Sequence, residues 1–143
     1  MKNESKKYIK EMLKKMSFLR ILIVEDDEIY IATYRFAIER HCKSLDVATN
    51  ERDAIKAITD TEKRYDVVIT DGAFPEYEGA SFMGHNDLTP EDFRGKNIAK
   101  IAKEKGVFVI GISSEPKILQ SENIDILLKK PYDVYELWEA IIT

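Results

Sequence analysis

The sequence predicts an α/β chain, a doubly wound five-stranded parallel sheet with helices on both faces. Three observations point there. Short runs rich in Ile, Leu and Val alternate with stretches of helical period, as in successive βαβ units. The runs are almost continuously apolar, as strands buried on both faces are. Charged residues follow several runs directly, and an open parallel sheet places its ligands outside the carboxyl ends of its strands. With 143 residues the chain fits one domain that buries roughly two-thirds of its unfolded surface.

The elements follow in order. In residues 1–18, Tyr8, Ile9, Met12, Leu13 and Met16 recur at helical spacing among Lys6, Lys7, Lys10, Lys14 and Lys15. This is a basic amphipathic helix ahead of a domain spanning 19–143. It suits packing on its own domain or on a dimer mate, and secondarily a membrane surface or a partner protein. Leu19 to Val24 reads as the first strand. A helix from about Glu28 to His41 follows, with Tyr30, Tyr34, Ala37, Ile38 and His41 on one face. Asp27 and Glu28 are first-turn acids that complement its dipole. Leu45 to Ala48 is the second strand. Asn50 with Asp53 is a capping pair for a helix carrying Ala54, Ile55, Ala57 and Ile58.

Asp66 to Thr70 is the third strand. The stretch 80–95 that follows is longer than the usual connection of about 4–6 residues, and reads as an insertion. Within it, Thr89, Pro90 and the acids Glu91 and Asp92 open a helix that continues to about Lys105, before Gly106. Val107 to Ile112 is the fourth strand. The connection 114–123 has room for two or three helical turns at most, so the helix there is shortened. Ile124 to Leu128 is the fifth strand. The last helix, from Tyr132 onward, has one apolar stripe in Val134, Leu137 and Ile141 and a second in Tyr135, Trp138 and Ile142. Tyr135 and Trp138 are expected to stay partly exposed as anchors for a partner or a second copy.

Charge and composition exclude several classes. The net charge is −4, but residues 1–20 hold seven Lys/Arg against two Glu, leaving 15 Lys/Arg against 24 acids in the rest. So acidic a domain is a poor nucleic-acid binder, and no direct nucleic-acid contact is expected. Cys42 is the single cysteine, so no internal disulfide forms. No stretch has the length of a membrane span or the core of a signal peptide, and a reduced, cytoplasmic setting is expected. His41 and His85 have no acid or cysteine partners at ligand spacing and read as packing or capping residues.

The chemistry gathers at the strand ends. Glu25 and Asp26 close the first strand, Asp71 closes the third, and Lys130 with Pro131 closes the fifth. Carboxylates 4 Å apart repel by about 4 kcal/mol per pair at an effective dielectric near 20, so a cation must sit among them. A hard divalent ion with oxygen ligands answers this, and Mg²⁺ characteristically takes one or two carboxylates and shares its shell with phosphate oxygens. Asp71 is the candidate nucleophile, with Lys130 as fixed counter-charge. Pro131 cannot continue a strand ladder, so the chain turns there.

Five pieces in order carry a resemblance: ILIVEDD at 21–27, YDVVITDGAFP at 65–75, Gly79, the pair Ser113-Ser114, and Lys130-Pro131. From about residue 19 to 143 the chain resembles the receiver domain of two-component response regulators. The resemblance implies the flavodoxin-like receiver fold. It also implies a stand-alone receiver that takes a phosphoryl group on Asp71 from a histidine kinase or phosphotransfer protein and signals to a downstream effector protein, a homodimer being a further arrangement. It implies Mg²⁺ held by Asp26, Asp71 and the backbone carbonyl of Ala73, with Glu25 acting mainly through water. Ser113 would donate its hydroxyl to the phosphoryl group, and Ala73 and Glu115 would modulate the lifetime of the bond. The peptide before Pro131 would be cis. Such a protein is no enzyme in the ordinary sense, although it assists its own phosphorylation and dephosphorylation.

The chain departs from the family in three places. Leu127 stands where many receivers carry a switching aromatic, the helix between the fourth and fifth strands is short, and 80–95 is inserted. One alternative is a pseudo-receiver adaptor that binds partners without phosphorylation. The other is a metal-dependent phosphoryl-transfer enzyme pairing a glutamate with Asp-x-Asp, which Ala73 leaves one carboxylate short.

Overall fold

The structure is a computed structural model that describes residues 3–78 and 94–143. Five strands pair in parallel: β1 (Arg20–Val24), β2 (Ser44–Ala48), β3 (Val67–Asp71), β4 (Phe108–Ser113) and β5 (Ile126–Lys129). Their order across the sheet is β2-β1-β3-β4-β5, so the direction of winding reverses beside β1. The crevice of an open sheet forms at such a reversal.

Alternation along β1 divides the core. Ile21 and Ile23 face one layer, with Tyr34, Ala37, Ile38, Leu137 and Ile141. Leu22 and Val24 face the other, with Ala54, Ile58, Ile98, Ala99 and Ala102. The first layer holds α2 (Glu28–Tyr34), continued by a π-helical turn at Arg35–Glu39, and α5 (Val134–Ile142). The second holds α3 (Glu51–Thr59) and α4 (Arg94–Glu104).

Local signals explain where the helices begin. Asp27 caps α2, its Oδ1 accepting from Ile29 N at 2.8 Å and Tyr30 N at 3.4 Å. Asn50 caps α3 by accepting from Asp53 N at 2.9 Å. Asp133 and Glu136 form a reciprocal capping box on α5. Beyond α4, Gly106 turns the chain at φ 75°, a conformation that favours glycine. The expected start of α4 near Pro90 lies outside the described residues, as do Gly79, His85 and the 80–93 part of the expected insertion. The connection from β4 to β5 is reduced to a single 3₁₀ turn at Pro116–Ile118, shorter than the two or three turns its length allows.

The N-terminal helix α1 (Asn3–Met16) packs against α5, with Met12 and Met16 buried and its lysines on the outer face. Trp138 is partly exposed, as expected, and is also tied to its own fold. Its indole Nε1 donates to the Ala37 carbonyl at 3.0 Å, and its ring meets His41 edge-on at 5.6 Å. The π-turn contains Ala37, and the irregular backbone there leaves a carbonyl for a side-chain donor. Tyr135, 47 % exposed, stays at the surface as expected. Among the described residues no helix is long and apolar enough to cross a membrane.

Candidate functional site

β1 and β3 are adjacent and in register, Val24 opposite Thr70, so Glu25 and Asp71 leave the sheet side by side. Glu25, Asp26 and Asp71 each offer a carboxylate oxygen, and these oxygens lie within 4.8 Å of one another. Lys130, one residue past β5, reaches across to them. Its Nζ is 3.1 Å from Glu25 Oε2 and 3.3 Å from Asp71 Oδ1. The peptide between Lys130 and Pro131 is cis. Lys130 N donates to the Ser113 carbonyl at 2.9 Å, which joins the lysine to the end of β4.

The cluster is sheltered. Glu25 is 1 % exposed, and its Oε1 accepts from the amides of Asp26 and Asp27, both at 3.1 Å. Burial first, and then the neighbouring Asp71 charge, push the Glu25 carboxyl up from its ordinary 4.5 to about 7, against the pull of Lys130. Burial likewise raises Asp71, which Lys130 opposes, and it raises Asp26. For Lys130 burial works downward, but Asp71 and Glu25 outweigh it and the ammonium is held charged above its ordinary range. Three carboxylates against one ammonium leave the site short of positive charge. Three oxygen donors converging at this spacing form the donor set of a hard divalent ion.

Other expected residues fall around this cluster. Asp71 pairs with Ile112, which places Ser113 one residue further toward the carboxyl edge. Ser113 is buried, and its hydroxyl is engaged in a tight local turn with Glu115, donating to the carbonyl at 3.2 Å and accepting from the amide at 3.1 Å. Ala73 lies half-buried in the loop leaving β3. Glu115 and Ser114 are exposed. The small size of Gly72 serves packing: a Cβ there would lie 2.6 Å from Ile118 Cδ1.

Two contributors were missed in the sequence. A Cβ on Gly95 would lie 2.2 Å from the Asp71 carbonyl oxygen, so only glycine lets α4 start directly against the acceptor strand, with Gly95 N donating to Gly72 O at 3.0 Å. Its signal was a glycine inside a helical pattern, which points to a close approach. Tyr30 was read as a packing residue of α2. Its ring lies under the Lys130 ammonium, 3.8 Å from Nζ to the ring centroid, and no pattern in the sequence announces that contact. Behind it, Tyr34 and Tyr132 stack at 6.1 Å, and burial raises both phenols, Tyr132 to about 12.

No protein-family model matches the chain, and no curated protein matches it significantly. Solved structures do. A response regulator receiver domain (CheY-like) from Methylobacillus flagellatus is 23% identical, with TM-score 0.62 over 87% of this chain and 99% of that one. A CheY-like receiver domain protein from Methanospirillum hungatei JF-1 is 19% identical, with TM-score 0.65 over 87% of this chain and 91% of that one. A response regulator receiver protein from Sinorhizobium medicae WSM419 is 19% identical, with TM-score 0.63 over 87% and 91%. At these identities the likeness establishes the fold, which is that of the flavodoxin-like receiver domains.

Proposed function

We propose that this chain is a phosphoacceptor of the receiver type, taking a phosphoryl group on Asp71 from the phosphorylated imidazole of a histidine kinase or phosphotransfer protein. One observation carries the reading. Three carboxylates at the ends of two adjacent strands converge within 4.8 Å, and the ammonium of one largely covered lysine contacts two of them at 3.1 and 3.3 Å. A fixed ammonium beside a candidate acceptor carboxylate is what phosphoryl transfer needs to neutralise the transferred oxygens.

The roles follow from placement. An Asp71 oxygen attacks phosphorus as the phosphorus–nitrogen bond breaks, giving an acyl phosphate and returning the electron pair to the imidazole. Glu25, Asp26, Asp71 and the Ala73 carbonyl would hold Mg²⁺, which when bound neutralises charge on the transferred oxygens. Lys130 keeps its full charge beside the acceptor and is free to exchange a carboxylate for an incoming phosphoryl oxygen. Ser113 joins only by giving up its turn with Glu115. That exchange would couple phosphorylation to the connection between β4 and β5, and a downstream effector protein reads the change. A homodimer is a further form in which the change could be read.

Incubation with Mg²⁺ and acetyl phosphate, followed by intact mass measurement, tests the reading. A single adduct removed by hydroxylamine is expected. Wild-type protein that takes no adduct from acetyl phosphate or from a phosphorylated histidine donor is instead an adaptor that binds partners without phosphorylation.

A further inference from the structure

Lys130 must be aimed, since its ammonium ends a flexible four-carbon stem. Only 10% of the side chain is exposed. Two of its contacts are the Glu25 and Asp71 carboxylates, and the Tyr30 ring lies against a third side at 3.8 Å. A π-face differs in kind from another carboxylate. It attracts a cation through its quadrupole without adding net negative charge, and the attraction is strongest where water is excluded.

We propose that Tyr30 is a positioning residue for Lys130: its ring holds the ammonium beside Asp71 while leaving the positive charge available to an incoming phosphoryl oxygen. The inference rests on the phosphoacceptor reading for its purpose, and on the contact alone for its geometry. A fourth anion at this place would tighten the lysine into a closed ion cluster, in a site already crowded by three carboxylates. A Leu would let the stem wander. The ring does neither, and the lysine exchanges one carboxylate for phosphate without leaving it.

The surroundings fix the ring itself. Tyr30 sits in the first turn of α2, its amide donating to the Asp27 cap at 3.4 Å. One helical turn further, Tyr34 stacks on Tyr132, which follows the cis Lys130-Pro131 unit by one residue. α2 therefore grips the lysine loop at two aromatic points spaced i, i+4, the spacing that puts side chains on one helix face.

Two measurements test this. In metal-free protein with ¹³C-labelled lysine, the Lys130 ε-methylene, assigned by its absence in Lys130→Met, should show an upfield ring-current shift that Tyr30→Leu abolishes and Tyr30→Phe keeps. With acetyl phosphate and Mg²⁺, Tyr30→Leu should slow adduct formation by about tenfold, between the scales of an exposed and a desolvated cation–π contact, while Tyr30→Phe restores the rate and Mg²⁺ affinity is unchanged. In the Lys130→Met background, Tyr30→Leu should have no further effect. An unshifted Lys130 resonance in the wild type, or an equal slowing by Tyr30→Leu with and without Lys130, overturns the proposal. A wild-type protein that takes no adduct defeats the phosphoacceptor reading instead, and the lysine resonance alone then decides whether the ring holds the ammonium.

Discussion

Two regions of one layer face each other along α2. At its N-terminal end, Glu25, Asp26, Asp71 and Lys130 are packed together wholly or partly buried, and burial raises every carboxyl of the group. At its C-terminal end, the seam with α5 buries Ala37, Ile38, Leu137 and Ile141, and its main polar link is one indole donating to one carbonyl. The seam gains stability from what it buries. The acidic edge loses stability from what it buries, and keeps its geometry because the strands on either side are held by the apolar layers. Strained charge at a sheet edge therefore points to chemistry, and apolar burial at a helix seam points to support. Substitutions in the two regions should fail in opposite ways.

The largest effect is expected at Asp71. Asp71→Asn removes the nucleophilic anion at nearly constant volume, so the hydroxylamine-sensitive adduct should vanish while the melting temperature holds or rises. An adduct at full yield would place the acceptor elsewhere. At the seam the reverse should hold: Trp138→Ala should cost about 3 kcal/mol in urea unfolding, the low end for a large aromatic because the ring is only half-buried, while the folded variant still accepts a phosphoryl group. A Trp138→Ala protein of unchanged stability that loses self-association would make this residue an anchor after all.

The acidic edge also predicts a pH dependence. The folded state holds the Glu25 proton more tightly than the unfolded chain, its carboxyl lying near 7 against an ordinary 4.5. Metal-free stability should therefore fall as pH rises from about 4.5 to 7, by on the order of 3 kcal/mol from this group, and Glu25→Gln should flatten the slope. Stability rising over that interval would show that Lys130 fully compensates the acids. Mg²⁺ should act against the same deficit. At a hundredfold excess over its dissociation constant it should add about 2.7 kcal/mol to unfolding, and Asp26→Asn should stabilise the metal-free protein while removing most of that gain. Equal responses of wild type and Asp26→Asn would separate Asp26 from the site. The smallest effect belongs to Tyr135, whose exposed ring should cost within about 0.5 kcal/mol when replaced by Ala. A larger loss would extend the seam to the surface.

The sequence by itself determined the strands, their parallel arrangement and the residues at their carboxyl ends. Each of those signals is local: an apolar run of strand length, a cap such as Asn50 or Asp133, a charge immediately after the run. The convergence of Glu25, Asp26, Asp71 and Lys130 was legible for the same reason, because parallel strands in one sheet bring their ends to one edge. Tertiary structure alone decided which neighbours surround those groups. The Tyr30 ring under Lys130, the Trp138 indole on Ala37 and the bare Gly95 against Asp71 join residues far apart along the chain, and each depends on how a helix rolls and how closely it approaches the sheet. Periodicity selects the buried face of a helix, but not which atom on that face meets which neighbour. The Ser113 hydroxyl shows the same limit at short range, since its residue type suits both a phosphoryl ligand and a turn, and only the folded backbone places it on Glu115.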